Sequence, residues 1–120
     1  VDLERFRRLG RPAPKLNTTI GVIATDAPLT KAQLKRIAMT GHDGIARAVR
    51  PAHSPLDGDT LFAVSTAVDE AVEEAPVRDV EVLAVLGEAA AGAVQAAIVD
   101  AVFHADSAFG VTAWRDLVGQ

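Results

Sequence analysis

Between residues 18 and 104 the hydrophobic positions change period several times, and each change marks an element. Thr19-Ile20-Gly21-Val22-Ile23-Ala24-Thr25 is rich in β-branched residues, and Asp26-Ala27-Pro28 ends it. That run predicts a buried strand over 19–25. Thr30-Lys31-Ala32-Gln33 has the form of a capping box, in which the Thr hydroxyl and Gln amide satisfy free helix-end donors. Apolar or small residues then recur at Leu34, Ile37, Ala38, Gly41, Ile45, Ala48 and Val49. These spacings predict one helix from about Lys31 to Val49, stopped by Pro51. Gly41 and Gly44 inside it cost about 1 kcal/mol each against Ala, and close packing on a neighbouring element is the expected reason.

Residues 51–59, Pro-Ala-His-Ser-Pro-Leu-Asp-Gly-Asp, read as a polar loop, and 60–67 as a second buried strand. The Glu-rich stretch at 69–76 reads as a solvated connection. From Asp79 to about His104 an Ala/Val/Leu segment predicts a long helix covered on most sides. The tail, with Phe109, Trp114 and Leu117, is expected to dock back on the core. The order is arm, β, α, β, α, tail, which places the chain in the α/β class. Two strands do not make a stable sheet alone. The other strands are therefore expected from another polypeptide or from an upstream segment.

Composition narrows the class. Of 120 residues, 49% are hydrophobic and 23% charged, which is globular and excludes a disordered tail. The chain has no cysteine, so disulfides, thiolate metal sites and thiol nucleophiles are all excluded. A net charge of −4 argues against a broad nucleic-acid footprint. No uninterrupted apolar run reaches the ~18 residues of a membrane span, and no signal peptide is visible. The expectation is a soluble cytoplasmic domain with no nucleic-acid or membrane partner. Charge also divides the chain: residues 1–17 hold five basic and two acidic groups, whereas 18–120 hold seven basic and fourteen acidic. With Gly10, Pro12 and Pro14, the first segment reads as a linker attached to a separate acidic domain over 18–120.

Common nucleotide, zinc-protease and serine-hydrolase motifs are absent. Asp57-Gly58-Asp59 does not continue as a calcium loop, because Phe62 and Val68 occupy the positions that need Gly and Glu. His42, His53 and His104 lack ligand spacing, and neither metal nor cofactor is expected. The informative point is Asn17-Thr18-Thr19. A Thr at the head of a strand, just after a Pro-rich arm, suits an N-terminal nucleophile. Its hydroxyl attacks the preceding carbonyl, an N→O shift gives an ester, and water releases a chain whose α-amine serves as base for its own hydroxyl. The same residues also suit a plain linker-to-strand junction. Likewise Asp57 and Asp59 could hold an ammonium and accept from a hydroxyl, or could only shape a turn. Arg50 and His53 read as loop-packing or ion-pairing residues, and Asp43 as solvated or paired.

Two stretches, NTTIGVIATDAPLT and HDGIARAVRPAHSPLDGDTLFAVST, resemble the C-terminal half of the self-cleaving L-aminopeptidase/D-Ala-esterase/amidase family. The resemblance is closest to its Thr branch, which includes the nylon-oligomer endo-hydrolases. It runs from about Asn17 to Thr66, with a weaker match through the Ala-rich helix. It implies a precursor cut into α and β chains that reassociate in a four-layer α/β/β/α sandwich of N-terminal-nucleophile type. It also implies Asn17-Thr18 as the cleavage bond, Thr18 as nucleophile, and Asp57 and Asp59 as the acids that orient it. The implied partners are the upstream α chain, further α/β heterodimers in an oligomer, and a small peptide or amide substrate. An ornithine-acetyltransferase-like acyl transferase and a non-catalytic assembly domain are the rival readings.

Overall fold

The computed structural model describes residues 18–119 together with Glu4. The arm over 1–17, including Asn17, otherwise lies outside the described residues. Strand β1 spans Ile20–Thr25. Helix α1 (Lys31–Ala48) starts at the expected box: the Thr30 hydroxyl accepts from the Gln33 N–H, and the Gln33 side chain accepts from the Thr30 N–H at 2.9 Å. The Gln33 amide also donates to the Val77 carbonyl at 2.5 Å, which ties a distant loop to this helix end. Strand β2 (Thr60–Ser65) returns parallel to β1, with Ile20 opposite Thr60 and Thr25 opposite Ser65. Parallel neighbours need a crossover, and α1 supplies it, so β1-α1-β2 is one βαβ unit. A short helix α2 (Asp69–Glu74), the long α3 (Val80–His104) and a final turn α4 (Trp114–Val118) follow.

The strands alternate as a half-covered sheet must. One face turns Ile23, Leu61 and Ala63 to the helices, where Ile23, Leu29, Ile37 and Ala90 form the core. Helices α1 and α3 meet at glycine. A Cβ on Gly44 would run into the Ala91 carbonyl oxygen and lie 2.9 Å from Val94 Cβ; one on Gly41 would lie 2.5 Å from Ile23 Cδ1. Close packing is therefore what these glycines permit. Gly44→Ala should destabilise the protein by about 1–3 kcal/mol through overpacking, despite its better helix propensity. A urea midpoint in the full-length variant equal to wild type would show that the two helices can part without cost.

Several expectations need correction. The Glu-rich connection contains α2: Val68 is its N-cap, acidic residues sit in its first turn, and Ala71 and Val72 lie half-buried. The long helix is covered only around Gly87, Ala90 and Ala91, while Val80, Val85 and Phe103 stay exposed. It is also the one helix among the described residues long and apolar enough to cross a membrane, by length and composition. A count of unbroken apolar residues misses this because Glu81, Glu88 and Asp100 interrupt the run. A helix awaiting a covering layer has the same composition. The tail docks on the end of α3, with Trp114 edge-on to Phe103 at 6.4 Å, and not on the core. Phe109 is fully exposed.

The strands, expected to be buried, are likewise covered on one face only. On the other, Ile20 and Val22 are 71% and 66% exposed, beside Phe62 and Val64. Among the described residues β1 pairs only with β2. Along its outer edge an open apolar groove of about 500 Å³ runs between β1 and Ala97, Ile98 and Ala101 of α3, with Thr19 at one end.

Candidate active site

Thr18 is exposed at the head of β1. The residue after it is fixed on both sides. The Thr19 N–H donates to Asp59 Oδ1 at 3.0 Å, and the Thr19 carbonyl accepts from the Thr60 N–H at 2.8 Å. Parallel pairing thus brings the end of the 49–59 loop to the start of β1, across forty positions of sequence. Thr18 stands one residue from this clamp.

Asp59 is the centre of the arrangement. Its side chain is only 8% exposed, and its second oxygen lies 2.9 Å from His53 Nδ1. The far side of that ring, Nε2, lies 3.4 Å from the His42 carbonyl oxygen, and the two imidazoles sit tilted at 49° with centroids 5.1 Å apart. Burial would push the Asp59 carboxyl up. Hydrogen bonds from the Thr19 backbone and side chain, and from His53 with its charge, outweigh burial and hold it below the ordinary carboxylate range.

The sign of the resulting pH effect is fixed. A carboxyl whose value is lowered by folding adds stability above its unfolded value, and that contribution fades as pH falls through the folded one. The gap in urea midpoint between full-length wild type and Asp59→Asn should therefore be present at pH ~5 and narrow as pH falls below ~4. A gap unchanged down to strong acid would mean that the carboxylate makes no ionised contact worth counting.

Asp57 turns to its own loop. Its Oδ2 accepts from the Ser54 N–H at 2.8 Å, and its N–H donates to the Ser54 carbonyl at 2.9 Å. The structure thus brings Asp59, His53 and Thr19 together beside Thr18, with Asp57 bracing the turn that delivers Asp59. His53 enters as the ion-pairing residue its loop position suggested, but its place beside Asp59 was not legible in the sequence. Its single signal there is a His six residues before the acid in a Pro-flanked loop. Arg50 and Asp43 are exposed and stand in no hydrogen bond of this cluster. No group of three or more His, Asp or Glu side chains suited to a metal occurs among the described residues.

The site therefore consists of an exposed strand-head threonine one residue from a backbone N–H held by a hydrogen-bonded carboxylate. The model of peptidase family S58 matches residues 3–114, and the chain belongs to this family. It is 42% identical over 114 residues to an uncharacterized aminopeptidase of Mycobacterium tuberculosis, covering 91% of this chain and 33% of that protein. A similar protein of Mycobacterium leprae is 43% identical over 111 residues, 88% of this chain and 31% of the relative. The 6-aminohexanoate-oligomer endohydrolase of Paenarthrobacter ureafaciens is 42% identical over 50 residues, 42% of this chain and 14% of that enzyme. The chain spans about a third of the length of the aminopeptidase relatives, as a C-terminal part.

Proposed function

We propose that this chain is the nucleophile-bearing part of a self-processing hydrolase of peptide or amide bonds. The observation that carries the reading is the clamp on Thr19. It fixes the backbone next to Thr18 against a carboxylate at the open end of a strand. Membership of a peptidase family supports the reaction class, and favours hydrolysis over the acetyltransferase-like alternative. The names of the relatives, aminopeptidase and 6-aminohexanoate-oligomer endohydrolase, support short peptides and linear amides as substrates.

In this reading Thr18 Oγ first attacks the Asn17 carbonyl carbon. The C–N bond breaks, the acyl group passes to oxygen as an ester, and water cleaves it to leave the α-amine of Thr18 free. In turnover the same oxygen attacks the substrate carbonyl. The amine takes the hydroxyl proton and returns it to the departing amine, and water then hydrolyses the acyl-threonine ester. Asp59 keeps the strand head and the new amine in place, with Asp57 holding its loop. Most substrate-pocket and oxyanion-stabilising groups would come from the upstream α chain that the family resemblance implies.

That upstream portion is also the proposed structural partner. The exposed apolar sheet face and the groove along β1 suit further strands and a second layer, as in a four-layer α/β/β/α sandwich assembled from α and β chains. Oligomerisation of such heterodimers follows the usual preference for symmetric assembly. The test of function is amine release by the full-length protein from short peptides and linear 6-aminohexanoate oligomers. Hydrolysis of either class supports the reading; transfer of acetyl groups without net hydrolysis would replace it with the acyl-transferase alternative.

A further inference from the structure

His53 holds a conformation that most residues avoid. Its φ is +56°, in the left-handed region where a non-glycine residue is unusual, although His, Asn and Asp enter it more readily than others. Such a residue persists where its surroundings over-determine it, commonly near functional positions. Here the surroundings are specific. The ring spans from the inner carboxylate of the site to the backbone of α1, with Nδ1 on Asp59 and Nε2 towards the His42 carbonyl. Both ring nitrogens face acceptors, so a ring bearing a proton on each satisfies both at once. Asp59 in turn uses one oxygen for His53 and the other for Thr19.

We propose that His53 is a positioning residue for the reaction of Thr18, fixing the Asp59 carboxylate in the orientation that holds the strand head. This rests on the hydrolase reading above and adds a residue to it. The chain of contacts has a physical consequence. A carboxylate with one oxygen tied to a ring and the other to a backbone N–H cannot rotate about its Cβ–Cγ bond without losing both bonds. Released from the ring, it is free to tilt away from Thr19. Such freedom lowers the fraction of productive geometries at the nucleophile, an effect on turnover more than on substrate affinity. The groups facing Asp59 are Thr19 at the head of β1 and His53 on its own loop, while His42 of α1 lies behind the His53 ring.

The test uses two variants of near-equal size, both tolerant of the left-handed backbone. His53→Asn keeps an N–H donor where Nδ1 stands; His53→Asp replaces it with a second carboxylate. In the full-length protein, His53→Asn should keep kcat within about threefold of wild type. His53→Asp should lose about thirtyfold or more in kcat, with KM changed less than threefold. The acid limb of its kcat/KM profile should also move to higher pH, because the α-amine of Thr18 must be neutral to act as base and a second carboxylate near Asp59 favours its charged form. A purely structural role for His53 would not separate kcat from KM or move that limb. Equal losses in both variants, or wild-type kcat in His53→Asp, overturns the proposal. Thr18→Ala in the same assay separates the two levels. An inactive Thr18→Ala beside a fully active His53→Asp removes only the role of His53, whereas an active Thr18→Ala removes the hydrolase reading and this inference with it.

Discussion

Thr18→Ala should yield a single uncut precursor whose amide hydrolysis falls at least ~1,000-fold, to background. The size of the effect follows from one atom serving twice. In the proposed reaction the Oγ that opens the Asn17-Thr18 bond is the same Oγ that attacks substrate, and the base for the second step exists only after the first. Thr18→Ala therefore removes both the nucleophile and the means of making its amine. The fold should be nearly indifferent, because Thr18 is exposed at the head of β1 and a surface substitution there changes stability by about 0.5 kcal/mol or less. Thr18→Ser restores a hydroxyl at the same position and should recover both cutting and turnover in part. Denaturation curves of the precursors, read beside gel mobility, check the first claim against the second. A Thr18→Ala protein that is cut at the same bond would assign processing to an external protease.

Asp59→Asn should lower kcat/KM by ~100-fold or more on chains already cut at Thr18. The substitution keeps an acceptor for the Thr19 N–H but abolishes the charge that meets His53, and its NH₂ would be turned towards that ring. Asp57→Asn should be milder, roughly tenfold, because its amide oxygen can still accept from Ser54 and keep the turn. The two acids flank Gly58 in the loop but stand in different positions: one braces the turn, the other reaches the strand head. Steady-state kinetics with short peptides separates them. Equal and small losses in both variants would reduce the Asp57-Gly58-Asp59 segment to a shaped turn.

The elements were legible because their signals are local. Strand β1 is written in a run rich in β-branched residues, and the start of α1 in a Thr and a Gln three positions apart whose hydrogen bonds the structure contains. The glycines of α1 could be read as packing positions, but not their target, since the backbone of α3 at Ala91 lies far along the chain. Cover was misjudged for the same reason. The composition of α3 says that it should be buried, not which layer buries it, and in this chain much of it faces outward.

The site divides in the same way. Thr18 and Asp59 are proposed from motif order and family resemblance. Nothing local could show that the Asp59 carboxylate meets a backbone N–H forty residues away, because parallel pairing across a helical crossover creates that contact. His53 was legible only as a loop residue fit for an ion pair. Its place between Asp59 and α1 depends on a left-handed backbone and on the position of α1, both outcomes of the whole fold.

The central claim is that Thr18 becomes a chain end and reacts from there. N-terminal sequencing with intact-mass measurement of the purified full-length protein tests it most directly. The account predicts a mature chain beginning Thr-Thr-Ile-Gly-Val, together with the upstream fragment ending at Asn17. Active protein in which the Asn17-Thr18 bond is wholly intact would contradict it.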